Sequence, residues 1–169
     1  MKQLTHYDIN NKQQQFPITI VCDAIRTPEN IGMCFRISES FGVQKIYFHE
    51  TSPTIENRIV KKTARNTIEQ IEFNYYNNFE QIIKKLKEEG NIIIGIEITD
   101  KSINIQDFDF SSHQKIVLLL GSERNGIENI ELVDYTISIP MFGRNSSMNV
   151  IHSLAITLYE VTNQFLASN

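Results

Sequence analysis

Tryptophan is absent from this chain of 169 residues, and cysteine is scarce, with only Cys22 and Cys34. Neither cysteine belongs to a CxxC pair or a Cys/His cluster, so neither a structural zinc site nor a disulfide framework is indicated. The four histidines are scattered without metal-ligand spacing, and no metal site is predicted. The remaining composition is that of an ordinary globular protein, with 41% hydrophobic and 21% charged residues. We therefore expect reduced thiols in a cytosolic protein.

Long apolar runs are also missing. The longest, such as Ile116–Leu120, is far too short to cross a bilayer. Residues 1–16 are polar and lack the apolar segment of a secretory signal. With no internal repeat, low-complexity tract or linker, the sequence predicts one cytoplasmic domain over residues 1–169, preceded within it by a polar extension at 1–16.

Basic residues are fewer than acidic ones, and the formal net charge is −4. This balance argues against a protein that coats phosphates generally, although local clusters matter more than the sum. Basic residues do cluster in one short segment or lie in turn-rich stretches: Arg58, Lys61, Lys62, Arg65, Arg124 and Arg144. From composition alone, such residues are more often exposed to solvent without a ligand than part of an RNA-binding surface.

Short apolar runs alternate with helical stretches along the chain. Strands are predicted at 17–23, 45–49, 71–75, 91–98, 115–120 and 135–139. Helices are predicted at 30–40, with Asn30 as the N-cap, and at 55–65, 78–89 and 149–165. The strands at 91–98 and 115–120 are continuously apolar, which is typical of a sheet covered on both faces. The alternation predicts an α/β fold, with a mainly parallel sheet and helices on both faces.

Three strand-to-helix transitions have unusual composition, namely residues 23–32, 121–126 and 140–149. In parallel sheets, ligands bind at such transitions, beyond the carboxyl ends of the strands. The second, GSERNG, is neither a GxGxxG fingerprint nor a P-loop, and it fits either a plain tight turn or a close approach of a ligand at Gly121. In the third, Ser146 or Ser147 can cap the next helix, a ligand can bind there, or both.

Arg36 is unusual because it lies inside an otherwise apolar helical stretch. The guanidinium can reach solvent along the helix surface, or it can pair with Glu29 or Glu39. Its rigid fork of donors also suits an anion such as a phosphate. The residue pattern alone does not decide between these roles.

Taken together and in order, the transitions resemble the three motifs of the SpoU-type (TrmH-like) methyltransferases of the SPOUT superfamily. The first motif is matched by Asn30-Ile31-Gly32, Phe35-Arg36 and Ser40-Phe41-Gly42-Val43. The second is matched by Leu118-Leu119-Leu120-Gly121-Ser122-Glu123 and Asn125-Gly126-Ile127. The third is matched by Ile139-Pro140-Met141, Ser147-Met148-Asn149-Val150 and Leu158-Tyr159-Glu160. Met148 stands where many relatives carry Leu.

The resemblance implies a trefoil knot near the C-terminus and a homodimer whose active site is completed across the interface. It implies S-adenosyl-L-methionine as cofactor, without a metal, and transfer of its methyl group to a ribose 2′-oxygen of structured RNA. By position, the cofactor contacts are expected at Ile96, Gly121, Ile139, Met141, Ser147 and Met148.

Arg36 matches the family's catalytic arginine. Because an arginine is essentially always protonated, positioning and electrostatic stabilisation describe its expected role better than proton abstraction. Asn30, Glu123, Ser147 and Asn149 match the remaining polar motif positions, with expected roles in orienting Arg36, a phosphate and the ribose. The basic residues named above are the expected RNA contacts.

We expect transfer RNA rather than ribosomal RNA as the substrate. Two other functions stay open: methylation of a base nitrogen, as in other SPOUT branches, and a catalytically silent RNA-binding or assembly factor.

Overall fold

The computed structural model describes residues 1–5, 8 and 13–168. Within this part of the chain, seven strands form one sheet, and every pair of neighbouring strands is parallel. The strand order is β3-β2-β1-β6-β4-β7-β5. His6 and much of the predicted polar extension lie outside the described residues.

The elements follow one another in strict alternation over most of the chain. The strands are β1 (Phe16–Cys22), β2 (Val43–His49), β3 (Glu72–Tyr76), β4 (Ile92–Ile96), β5 (Ile103–Asn104), β6 (Ile116–Leu120) and β7 (Tyr135–Ser138). The helices are α1 (Pro28–Ser40), α2 (Arg58–Ala64), α3 (Phe79–Glu88) and α4 (Val150–Ala167). The predicted α/β class and parallel sheet are confirmed.

Both faces of the sheet are covered, as the apolar strands predicted. Alternate residues of β6 contribute to two clusters of buried side chains, one on each face. The larger cluster includes buried residues of α1, α2 and α4. The smaller includes Ile82, Ile83 and Leu86 of α3, whose apolar side chains recur at helical spacing. Because β6 pairs with β1 and β4, its five residues are all fully buried.

The starts of α1 and α2 differ from the predicted ones, whereas α3 and α4 start within one residue of theirs. Helix α1 begins at Pro28 with Thr27 as N-cap, so Asn30 lies inside its first turn. Proline suits the first helical position because the N–H that it lacks would have no partner there. Helix α2 starts later than expected because the Asn57 side chain accepts a hydrogen bond from the Ile59 N–H (2.8 Å).

Helix α4 is capped by Asn149, whose Oδ1 accepts a hydrogen bond from the Ile151 N–H (2.8 Å). Capping by Ser146 or Ser147 was therefore wrong, and these side chains are exposed in the loop before the helix. Strand β5 and three short 3₁₀ turns were not predicted, since two or three residues carry no measurable periodicity. The trefoil knot stays a prediction.

Among the described residues, no helix has the length and hydropathy needed to span a membrane.

Candidate functional site

A cavity of about 360 Å³ opens at the carboxyl ends of β4, β6 and β7. Parallel strands present turns and helix starts at this end of a sheet, which is where ligands bind. All six expected cofactor contacts line the cavity: Ile96, Gly121, Ile139, Met141, Ser147 and Met148. The structure thus brings together residues separated by up to 52 positions, nearly a third of the chain.

One wall of the cavity is the hairpin that follows β6. Ser122 and Gly126 exchange two backbone hydrogen bonds of 2.9 and 3.1 Å. A Cβ at Gly121 would lie 2.5 Å from the backbone nitrogen of Ile127, closer than real atoms approach. Gly126 has a φ of +65°, which favours glycine. The GSERNG segment therefore forms the predicted tight turn, and this turn also lines the cavity.

Glu123 projects from this hairpin onto the start of α1. Its carboxylate accepts hydrogen bonds from the backbone N–H groups of Arg26 and Thr27, both 3.1 Å long. It also accepts one from Asn30 Nδ2 at 2.9 Å. Thr27 makes no side-chain cap of its own, so Glu123 supplies a distant cap to a helix end that favours negative charge.

The pKa of Glu123 lies below its ordinary value of 4.5. Partial burial alone would raise the pKa, but the hydrogen bonds from Asn30 and the backbone N–H groups stabilise the carboxylate and outweigh burial. Glu123 is therefore ionised across the neutral pH range.

Asn30 joins Glu123 to the third motif. Its Nδ2 donates to Glu123, while its Oδ1 accepts from Asn149 Nδ2 at 3.1 Å. Asn149 in turn caps α4 with its own Oδ1. One continuous network, Glu123–Asn30–Asn149, therefore fixes the hairpin, the first turn of α1 and the start of α4 relative to one another.

Arg36 lies two turns further along α1 and does not line the cavity. Its side chain is half-buried, and within the described part of the chain the guanidinium has neither a hydrogen bond nor an ion pair. Pairing with Glu29 or Glu39 is not found. The structure brings Asn30, Glu123, Ser147 and Asn149 together but leaves Arg36 apart from them.

The predicted RNA contacts fall in three places. Arg58, Lys61 and Lys62 are exposed on α2, and Arg65 ends it with a φ of +56°. Arg124 lines the cavity, whereas Arg144 is exposed in the 140–149 loop. Only Lys61 of the α2 set forms an ion pair within the described residues, with Glu56 at 2.8 Å.

Several residues of the cavity wall were not predicted. The polar ones are Glu97, Ser122, Ser138 and Ser153. Glu97 directly follows the strand residue Ile96, so its place at a strand end was the available signal. Among the residues that the structure covers, no group of three or more His, Cys, Asp or Glu side chains is arranged to hold a metal ion.

The protein is therefore an α/β protein with a parallel sheet and with a cavity and a polar network at the carboxyl edge of that sheet. The SpoU rRNA Methylase family matches residues 17–159. The chain belongs to that family.

Two curated relatives are 23S rRNA (guanosine-2′-O-)-methyltransferases named RlmB. The one from Coxiella burnetii is 30% identical over 154 residues, covering 90% of this chain and 61% of the relative. The one from Neisseria meningitidis is 29% identical over 95 residues, covering 56% of this chain and 38% of the relative. The chain thus spans less than two thirds of the length of either.

Solved structures share the fold. The TrmH/SpoU tRNA modifying enzyme of A. aeolicus superposes with a TM-score of 0.81 at 22% identity, covering 92% of this chain and 79% of the other. The SpoU methyltransferase AviRb of Streptomyces viridochromogenes, in complex with AdoMet, gives 0.81 at 21% identity, with 96% and 65% covered. At these identities the likeness establishes the fold alone.

Proposed function

We propose that this protein transfers a methyl group from S-adenosyl-L-methionine to a ribose 2′-oxygen of RNA. The observation that carries the proposal is the cavity, which gathers all six positions expected from the motifs, beside the Glu123–Asn30–Asn149 network. Family membership and the 2′-O-methyltransferase relatives support the same reaction.

The cavity suits this cofactor in size and chemistry. Its volume of about 360 Å³ lies in the range of small-molecule sites. Ile96 and Ile139 offer apolar wall for adenine, and the absence of a Cβ at Gly121 lets the Gly126–Ile127 backbone pack against the end of β6 to form the adjoining wall. When bound, S-adenosyl-L-methionine would supply an activated methyl group: the ribose oxygen would form the new bond, S-adenosylhomocysteine would leave, and the hydroxyl proton would pass to water.

The polar network has a positioning role in this proposal. Glu123 and Asn30 hold the first turn of α1 against the hairpin, and Asn149 holds the start of α4. Correct placement of two reactants can contribute several kcal/mol to lowering a barrier, about 7 or more in favourable cases. Loosening the network therefore reduces transfer even where no network atom reacts.

Arg36 is proposed to bind a phosphate of the RNA and to stabilise charge at the reacting ribose. A guanidinium without a carboxylate partner is available for such an anion. Because Arg36 does not line the cavity of its own chain, a homodimer that completes the site across its interface is part of the proposal. Ile156 and Tyr159, exposed on α4, offer apolar surface for the second copy.

The basic residues of α2 are proposed to contact the RNA backbone. Arg58, Lys61 and Lys62 recur at helical spacing, so their side chains share one face of α2, and Arg65 directly follows the helix, while Val60 and Ala64 are buried. Helix α2 packs closely on α1, since a Cβ at Gly32 would lie 2.7 Å from the Val60 carbonyl oxygen. The basic face is thus carried by the helix next to the one that holds Asn30.

Ribosomal RNA is the RNA favoured by the curated relatives, whose names give 23S rRNA. The transfer RNA expected from the sequence has no support among these curated relatives, although the titles of two structural neighbours name tRNA. We therefore propose ribosomal RNA as the first substrate to test.

The test incubates the protein with labelled S-adenosyl-L-methionine and either purified ribosomal or transfer RNA. Nucleosides from the digested RNA are then separated by liquid chromatography. A 2′-O-methylated nucleoside is expected with the wild-type protein and not with Arg36→Ala. A methylated base with unmodified ribose would replace the proposal by base methylation, and cofactor binding without transfer to any RNA would favour a silent factor.

A further inference from the structure

Glu97 is the one carboxylate of the cavity wall that the motif network does not use. It follows β4 directly, and its backbone N–H donates to the carbonyl oxygen of Ile137 in β7 at 3.1 Å. Its side chain is half-buried and, within the described residues, has no ion-pair partner. A carboxylate so placed beside an apolar wall needs hydrogen-bond donors.

Two backbone donors fix the orientation of this carboxylate. Oε1 accepts from the Ile98 N–H at 3.0 Å, and Oε2 accepts from the Ile127 N–H at 3.1 Å. Gly126 packs against Oε2 so closely that a Cβ there would collide with it. The carboxylate is therefore held in place by the hairpin rather than free to rotate.

The two backbone hydrogen bonds leave acceptor capacity unused. An ionised carboxylate offers about four lone-pair sites on two oxygens. With one N–H on each oxygen, one site on each remains for a ligand in the cavity. A pair of adjacent hydroxyl groups matches two neighbouring acceptors.

We propose that Glu97 binds the vicinal ribose hydroxyls of the adenosyl cofactor, an inference that rests on the proposed function. In that cofactor the ribose is bonded directly to adenine, whereas the ammonium group lies beyond both the ribose and the sulfur. Glu97 stands between Ile96 and Ile98, which also line the cavity, so its carboxylate adjoins the apolar wall suited to adenine. That adjacency favours the hydroxyls over the ammonium.

The test measures binding by calorimetry with three ligands: S-adenosylhomocysteine, 5′-methylthioadenosine, and the 2′,3′-dideoxy form of 5′-methylthioadenosine. Removing the hydroxyls should weaken binding to the wild-type protein about 10- to 100-fold. In Glu97→Gln, the same removal should cost much less. This comparison separates hydroxyl binding from damage to the hairpin, because a disturbed hairpin weakens both nucleosides equally.

Glu128→Gln is the matched control, since Glu128 follows the same hairpin but does not line the cavity. It should behave as the wild type with all three ligands. An equal loss on hydroxyl removal in wild type and Glu97→Gln would overturn the inference. So would a Glu97→Gln defect seen with S-adenosylhomocysteine but absent with 5′-methylthioadenosine, since the ammonium would then be the partner. A wild-type protein that binds none of the ligands would instead overturn the proposed function.

Discussion

Replacing Glu123 by glutamine should lower the free energy of unfolding by about 1 kcal/mol at pH 7. The glutamine keeps one acceptor oxygen but loses the charge that two backbone N–H groups and Asn30 Nδ2 share. Hydrogen bonds to charged groups contribute about 1.5–3 kcal/mol and charge at a helix start about 0.3–1 kcal/mol. Glu123 is largely exposed, so solvent screening brings the expected loss to the lower value.

The assay is urea unfolding of the wild type and Glu123→Gln from pH 7 to pH 3. At pH 7 the loss corresponds to a melting temperature lower by about 2–4 °C for a chain of this size. The folded-state pKa of Glu123 is lowered, so its stabilisation is complete above the ordinary value of 4.5 and is lost as the pH falls through the folded value. The two proteins should therefore converge in acid.

Glu131→Gln provides the control, because Glu131 is exposed and its side chain has no hydrogen bond or ion pair within the described residues. Its effect should stay within about 0.5 kcal/mol. An equal loss of unfolding free energy in Glu123→Gln and Glu131→Gln would show that the hydrogen bonds of Glu123 add no stability of their own. A difference between wild type and Glu123→Gln as large at pH 3 as at pH 7 would contradict the prediction as well.

Three further outcomes are expected. Arg36→Ala should abolish methyl transfer while S-adenosylhomocysteine binding, measured by calorimetry, changes less than about threefold; normal transfer would show that Arg36 has another role. Gly121→Ala should abolish that binding, because its Cβ collides with the hairpin backbone, whereas Gly143→Ala, which meets open space, should bind normally. Lys62→Ala should weaken RNA binding and lower the slope of log K against log salt by about 1, while Lys84→Ala on α3 should leave it unchanged.

The fold class could be predicted from the alternation of strands and helices and from the continuously apolar segments in the sequence. Strands β4 and β6 are continuously apolar because helices cover both faces of the sheet, and that pattern is visible without coordinates. The start of α1 was less predictable, because its N-cap Thr27 makes no side-chain hydrogen bond, and the side-chain cap of α4 is Asn149 rather than a serine of the preceding loop. Asn30 was predicted to cap a helix, but its side chain donates a hydrogen bond to Glu123, 93 residues away.

Part of the candidate site could likewise be predicted from the sequence, and part could not. The six positions expected to contact the cofactor could be named from the family resemblance, and all six line one cavity. The partners of Glu123 could not, because a hydrogen bond from a hairpin to a distant helix start leaves no periodic signal. Glu97 was missed because the predicted strand 91–98 ran past it, whereas β4 ends at Ile96, and the hairpin that packs on its carboxylate leaves no signal in the sequence.

The Asn149–Asn30 hydrogen bond joins residues 119 positions apart, and the bonds of Glu123 span 93 to 97. Contacts of such long range form late in folding, because chain entropy must be lost before they stabilise anything. A ribosome that has not yet released α4 therefore carries a chain without a binding cavity. Once folding is complete, a cofactor at 100 times its Kd adds about 2.7 kcal/mol to the stability of the whole cooperative unit. Occupancy of the cavity thus reports that α4 has packed against the rest of the sheet.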